Sequence, residues 1–203
     1  MTYGGLILDF GGVVTTDFYG ALSAFSVRGG LDEGAFVRVL REHPEGRRAL
    51  AAAESGQIPQ RQFEVTMGRL LGLDDDGLLA DALSDLRPRR EIIDLTARAR
   101  ARGVRVAALS NSWGAGDYDP YAGWELDKMF DAVVISDQVG LRKPSPEIYE
   151  LTAEKIGVVP RDCLFVDDTE HNLPAARDLG MGTVFFTGTA GEIAEIERLI
   201  GIA

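Results

Sequence analysis

The chain is poor in cysteine. Cys163 is the single one among 203 residues, which excludes an internal disulfide framework and suits a reducing compartment. It stands in the apolar run Cys163-Leu164-Phe165-Val166, where a buried, inert thiol is the plain reading. Histidine is almost as scarce: His43 and His171 are the only two, and no Cys/His cluster has zinc spacing. No run of roughly 18 apolar residues is present, and residues 1–20 lack the basic stretch of a signal peptide. The expectation is therefore a cytoplasmic protein with no membrane partner. Cationic side chains are also few, 21 Lys and Arg against 32 Asp and Glu, for a formal net charge of -11 at pH 7. Such a chain is a poor match for a phosphate backbone, so no nucleic-acid partner is expected. Lysine is rarest among the cations, with Lys128, Lys143 and Lys155 alone, so a lysine in a structured loop stands out.

Apolar residues make up 45% of the chain, enough for a well-buried core. Leu6-Ile7-Leu8 reads as a strand buried on both faces, and it ends in Asp9-Phe10-Gly11-Gly12. Four further β-type runs follow: Val104–Leu109, Ala132–Ile135, Leu164–Val166 and Thr183–Thr187. Helical patterns separate them, over Ile92–Arg102, from Ser145-Pro146-Glu147 to about Lys155, over Leu173–Leu179, and over Gly191–Ile200. This alternation predicts an α/β fold with a doubly wound parallel sheet. Residues 16–87 break the rhythm and read as five short helices: Tyr19–Val27, Glu33–Arg41, Arg47–Glu54, Pro59–Leu71 and Gly77–Leu86. The expected division is a core of residues 1–15 and 88–203 and a helical insert of residues 16–87. The acidic run Asp74–Asp76 is most simply a solvated helix start.

Four polar signals stand at strand ends in order: Asp9; Ser110-Asn111-Ser112; Lys143-Pro144 after the short loop Asp137–Arg142; and Asp167-Asp168. Each alone is ordinary turn or loop chemistry. In an open parallel sheet, however, those ends converge on one crevice. Three carboxylates there repel one another unless a cation joins them, and oxygen ligands suit Mg²⁺. Ser110 and its neighbouring N–H groups can bond phosphate oxygens, and Lys143 supplies a compact positive charge. The chemistry these residues can do together is phosphoryl transfer, with Asp9 attacking phosphorus to form an aspartyl-phosphate.

On these residues, with Asn172 after the acid pair, the chain resembles the haloacid dehalogenase (HAD) superfamily along its whole length. The resemblance implies a HAD-like Rossmannoid core with residues 16–87 as a C1-type helical cap that closes over the site and selects substrate. It implies Asp9 as nucleophile, and Mg²⁺ held by Asp9, the Gly11 backbone carbonyl and Asp168, with Asp167 nearby or acting through water. It also implies Ser110 and Lys143 on the phosphate, Asn111 beside them, and a small phosphate ester as substrate.

The chain departs from the superfamily pattern at Gly11, where typical phosphatases carry a second Asp that protonates the leaving oxygen and then activates water. General acid–base help is worth typically 10²–10⁴-fold. Three readings follow. One is a phosphomonoesterase favouring good leaving groups such as a sugar-1-phosphate, with Asp17, Glu170 or His171 assisting water. Another is a non-catalytic or weakly active phosphate-binding regulator on the same fold. The third is a metal-independent 2-haloacid dehalogenase, which leaves the acid pair unexplained. Phosphonate cleavage in relatives uses a cap lysine, and residues 16–87 hold none. The receiver-domain pattern, with its acid pair near the first strand, fits poorly. Cap candidates for substrate choice are Phe18, Tyr19, Arg47 and Arg48, with packing or solvated surface as the plainer reading of each. The stretch Ser112–Glu125 is either a mobile lip bringing Trp113 or Tyr118 to substrate or a plain connection.

Overall fold

Buried side chains on both faces of the first strand require a layer on each side, and the computed structural model, which describes residues 2–203, supplies both. Met1, the first residue of the expected core, lies outside the described residues. The strands β1 (Gly5–Leu8), β2 (Arg105–Ser110), β3 (Ala132–Ile135), β4 (Cys163–Asp167) and β5 (Gly182–Phe185) form one sheet in the order β3-β2-β1-β4-β5. All its pairings are parallel, with Leu8 opposite both Ala108 and Val166. Side chains alternate across β1. Leu6 and Leu8 join a cluster with Ile92, Leu95 and Ile196, while Ile7 joins one with Ile148, Tyr149, Phe165 and Leu173.

The helices that supply those layers follow the sequence pattern with shifts at their ends. In chain order they are α1 (Phe18–Arg28), α2 (Ala35–Arg41), α3 (Pro44–Glu54), α4 (Gln60–Leu71), α5 (Leu78–Ala82), α6 (Arg90–Ala101), α7 (Leu126–Met129), α8 (Ser136–Val139), α9 (Pro146–Ile156), α10 (Leu173–Asp178) and α11 (Ala190–Leu199). α5 stops short of the expected Leu86, where tighter bonds from Ser84 N–H to Asp81 O and from Leu86 N–H to Leu83 O replace the α ladder and guanidinium groups take up nearby carbonyls. Arg28 donates to Asp81 O, and Arg87 to Ser84 O and Leu86 O. The last strand ends two residues early, at Phe185, opposite the last residue of its partner β4, and Glu192 takes both the Thr187 N–H and its hydroxyl beyond that point. Glu192 belongs to an unforeseen capping box with Thr189 at the start of α11. Ser145 precedes Pro146 at the start of α9, but its hydroxyl donates to Glu147 instead of capping the backbone. The loop expected over Asp137–Arg142 begins with the helical turn α8.

Helices α1–α5 build a hydrophobic cluster of their own around Leu22, Phe36, Phe63, Met67 and Leu79. The chain leaves and rejoins the sheet side by side: Thr16 N–H donates to Arg87 O, Arg89 N–H to Val14 O, and Thr15 bridges Pro88 antiparallel. Trp113, from the loop after β2, is part of the same helical cluster, stacked on Phe63 at 5.5 Å. No helix of the described residues is long and apolar enough to cross a membrane.

The strand order reverses between β1 and β4, because connections from β1 run one way to β2 and β3 and then cross to β4 and β5. Crevices in such sheets open at this point, beyond the strands' C-terminal ends. Asp9 follows the last residue of β1, and Asp167 ends β4.

Candidate active site

Asp9, Lys143 and Asp167 meet at that reversal. The Lys143 side chain, 1% exposed, places Nζ 2.7 Å from Asp9 Oδ1 and 2.7 Å from Asp167 Oδ2. Burial alone pulls its ammonium down, but the Asp167 and Asp9 carboxylates outweigh that and hold it well above its usual range. Asn111 fixes the lysine's backbone from both sides. Its Oδ1 accepts from Lys143 N at 2.9 Å, and its Nδ2 donates to Lys143 O at 3.1 Å.

Asp167 is saturated. It accepts from the Thr169 N–H at 2.7 Å, from Asn172 Nδ2 at both oxygens, and from Lys143. A carboxylate so engaged holds the lysine in place and has little capacity left for a metal. Asp9 differs: Phe10 N–H and Lys143 both reach Oδ1, and Oδ2 has no protein donor among the described residues. Burial, and then the Asp167 charge, push its carboxyl well above the ordinary range against the pull of Lys143.

Asp168 lies beside this pair. Its Oδ1 accepts from the Thr169 hydroxyl at 3.2 Å, and that hydroxyl also meets Tyr19 Oη of α1 at 3.2 Å. Burial, and then the Asp167 charge, raise Asp168 to about 6. The close approach of Asp168 to the backbone needs Gly12: its φ is 82°, and a Cβ there would run into the Asp168 carboxylate. Oxygens of Asp9, Asp167 and Asp168 all lie within 4.8 Å of one another. One lysine cannot neutralise three carboxylates at that spacing, and the all-oxygen donor set fits a hard divalent cation such as Mg²⁺.

Two adjoining cavities open here. The smaller, about 170 Å³, is lined by Asp9, Lys143, Asp168, Arg142, Glu54 and His171 among others. The larger, about 460 Å³, holds Ser110 and a set of aromatic side chains. Gly11, Phe18, Asn111 and Trp113 line both. Phe18 and Tyr19 thus face cavity space, Tyr19 in the smaller chamber alone, whereas Arg47 and Arg48 are exposed and line neither. His171 is exposed at the rim of the smaller chamber. Asp17 caps α1 through the Gly20 N–H at 2.9 Å, and Glu170 lines neither chamber.

Three contributors were not legible in the chain. Arg142 Nε reaches Glu54 Oε2 at 2.6 Å, joining α3 to the loop before Lys143. Tyr121 donates its phenol to Ser110 Oγ at 2.8 Å, which leaves the serine proton free for another acceptor. Gln60 of α4 donates to Gly114 O and Tyr118 O, both at 2.8 Å, and accepts from Tyr118 N at 3.2 Å. The Ser112–Glu125 stretch is therefore pinned to the helical layer and lines the larger cavity. The adjacency of Lys143 and the basic Arg142 was the available signal for the first; the other two join residues whose partners carry no mark in the sequence.

The sequence model of the haloacid dehalogenase-like hydrolases matches residues 3–180. The chain belongs to this family. Among curated proteins it is 29% identical over 128 residues to bifunctional epoxide hydrolase 2 of Rattus norvegicus, a match covering 61% of this chain and 23% of that protein. The chain thus spans about a quarter of the length of that relative. It is 28% identical over 194 residues to the D-ribitol-5-phosphate phosphatase of Bacteroides thetaiotaomicron, covering 88% of this chain and 89% of the relative. A HAD family enzyme from Bacteroides thetaiotaomicron, solved in complex with magnesium and inorganic phosphate, superposes with a TM-score of 0.65 at 25% identity, covering 92% of this chain and 94% of that one.

Proposed function

We propose that this HAD-like hydrolase is a magnesium-dependent phosphomonoesterase that works through an aspartyl-phosphate on Asp9 and favours esters with good leaving groups. The observation that carries the reading is Lys143, buried between Asp9 and Asp167 with Asp168 alongside at the mouth of a cavity. The names of two similar proteins, a sugar-alcohol phosphate phosphatase and an enzyme holding magnesium and phosphate, add support.

In this reading Asp9 Oδ1 is anchored by Lys143 and Phe10 N–H, and the free Oδ2 attacks phosphorus. The P–O bond to the leaving group breaks as the new bond forms, and the departing oxygen takes its proton from water. A second water then attacks phosphorus and restores the carboxylate. Lys143 and Ser110 hold the phosphate oxygens, with Ser110 presented as a donor because Tyr121 occupies its lone pair. Asp9, Asp168 and the Gly11 carbonyl would hold Mg²⁺, which when bound offsets charge on the transferring group. Asp167 keeps Lys143 in place, and Asn111 fixes the same lysine's backbone. Helices α1–α5, over residues 16–87, act as the cap on a core of residues 1–15 and 88–203. With no side chain at Gly11, the leaving oxygen receives no proton from that position, which favours anomeric, aryl and acyl phosphates over simple alkyl esters.

A panel of phosphate esters assayed for phosphate release with Mg²⁺, with Asp9→Asn as control, tests this. The expected result is turnover of aryl or anomeric esters that EDTA and Asp9→Asn abolish. Equal, negligible rates for wild type and Asp9→Asn would replace it with the phosphate-binding regulator. Halide release from a 2-haloacid, unaffected by EDTA, would replace it with the dehalogenase.

A further inference from the structure

We propose that the larger cavity is the leaving-group site and that it takes an uncharged, ring-bearing group with an apolar face in preference to a polyol or a group with a second anion; this rests on the phosphomonoesterase reading and narrows its substrates from sugar to aromatic esters. The cavity, about 460 Å³, adjoins the Asp9 chamber across Gly11 and Asn111. It is therefore where the far side of an ester held at Asp9 must lie, and its size is that of a small-molecule site.

Its aromatic and aliphatic walls are braced. Phe10 packs against Tyr121 and Trp124, each at 5.0 Å, and Phe18 against Trp113 at 5.8 Å. Leu83 and Leu86 close the side nearest α5. Gln60 fixes the loop that carries Trp113 and Tyr118, so the shape stands before any ligand arrives.

The polar atoms of its inner wall are mostly engaged, and the carboxylates of Asp117 and Asp119 are exposed at its solvent edge. Ser110 Oγ accepts from Tyr121, Ser112 Oγ from the Gly114 N–H at 3.2 Å, and Thr15 Oγ1 from the Gly12 N–H at 3.1 Å, while the Asn111 amide is bound to the Lys143 backbone. A polyol would lose its water hydrogen bonds against this inner wall and regain few there. The buried Trp113 Nε1 has no partner among the described residues and is a spare donor for one oxygen. The cavity's charged side chains are Asp117 and Asp119, with no Lys, Arg or His among the described lining residues, so a second phosphate or carboxylate is repelled.

Trp113 and Trp124, the only two tryptophans, both line this cavity, so intrinsic fluorescence reports its occupancy without turnover. The magnesium-loaded protein is titrated with benzylphosphonate and with 2,3-dihydroxypropylphosphonate. Benzylphosphonate should bind at least about tenfold tighter and shift the emission, the factor expected for burying a ring. Benzyl phosphate and glycerol 3-phosphate are both primary alkyl esters, so their ratio of kcat/KM reports the pocket and not leaving-group basicity. That ratio should exceed about tenfold and fall by a similar factor in Leu86→Asp. Equal or tighter binding of the dihydroxypropyl compound, or no emission change with either, overturns the proposal. Phosphate release from no ester at all, acetyl phosphate included, fails the phosphatase reading instead, while the phosphonate titration still decides the pocket.

Discussion

Replacing Gly11 with aspartate restores the carboxyl that the chain lacks two residues beyond Asp9, and the structure says what this should do. Gly11 has φ -70° and ψ 125°, extended backbone that any residue adopts. An added Cβ would meet the Phe18 ring at 3.4 Å, an ordinary contact. Loss of glycine freedom in the unfolded chain favours the variant by about 0.4–1 kcal/mol. One more charge near Asp9 and Asp168 opposes it by a similar amount at a solvated site, so stability should change by less than about 1 kcal/mol. Catalysis should change far more. Gly11 lines both chambers, so a carboxyl there stands between the phosphate and the leaving group. The low end of general acid–base help is the fair expectation, about 10²-fold in kcat/KM for benzyl phosphate, whose alkoxide needs a proton. Acetyl phosphate, which expels a stable carboxylate, should gain less than about threefold. The assay is phosphate release from both esters across pH, with a thermal melt as control. The gain on benzyl phosphate must decline as pH rises through the new carboxyl's pKa, because the acid form does the work. Equal gains on both esters, or none on benzyl phosphate in a protein that melts normally, would refute the reasoning.

Two further outcomes follow from the buried charges. Lys143→Met leaves Asp9 and the fully buried Asp167 facing each other without a cation, a loss of about 3–5 kcal/mol at pH 7. Without the lysine the Asp9 carboxyl rises further above its unfolded value, so the deficit is present at high pH and should shrink as pH falls toward 5; chemical denaturation at the two pH values reads this, and a pH-independent deficit contradicts it. Asp168, raised to about 6, disfavours the metal-free fold once ionised. That cost is absent below the unfolded pKa of about 3.9 and complete above the folded one. Asp168→Asn should therefore stabilise the metal-free protein by about 1–2 kcal/mol near pH 8, allowing for solvent on its open side, and by nothing near pH 4. The rise in melting temperature on adding Mg²⁺ should vanish in the same variant, and its persistence would remove Asp168 from the metal site.

The sheet was legible because parallel strands are buried on both faces. Runs such as Leu6-Ile7-Leu8 and Cys163-Leu164-Phe165-Val166 have no competing reading once helices of about ten residues separate them. The chemical residues were legible because parallel strands must place their C-terminal ends together, which turned four ordinary loop signals into one cluster. The residues alone did not separate Asp167 from Asp168, and only the resemblance gave the second to the metal; the physical difference lies in Asn172, Thr169 and Lys143 saturating the first while Gly12 makes room for the second. Arg47 and Arg48, weighed for substrate choice, lie on exposed surface as their plainer reading had it, while the unforeseen Arg142 lines the smaller chamber, held by Glu54 across 88 positions of chain. Long-range pairs of this kind, like Gln60 with the Tyr118 backbone, leave no periodic trace. Trp113 illustrates the same limit: it follows a sheet strand in sequence but packs into the helical cluster.

The account stands on Asp9 as the group that receives the phosphoryl. Acid quench during turnover of an aryl phosphate with Mg²⁺, followed by peptide mapping, tests that directly. One hydroxylamine-sensitive phosphoryl group should be found on the peptide carrying Asp9, and none in Asp9→Asn. Turnover with no phosphorylated peptide, or with the label on another residue, would contradict it.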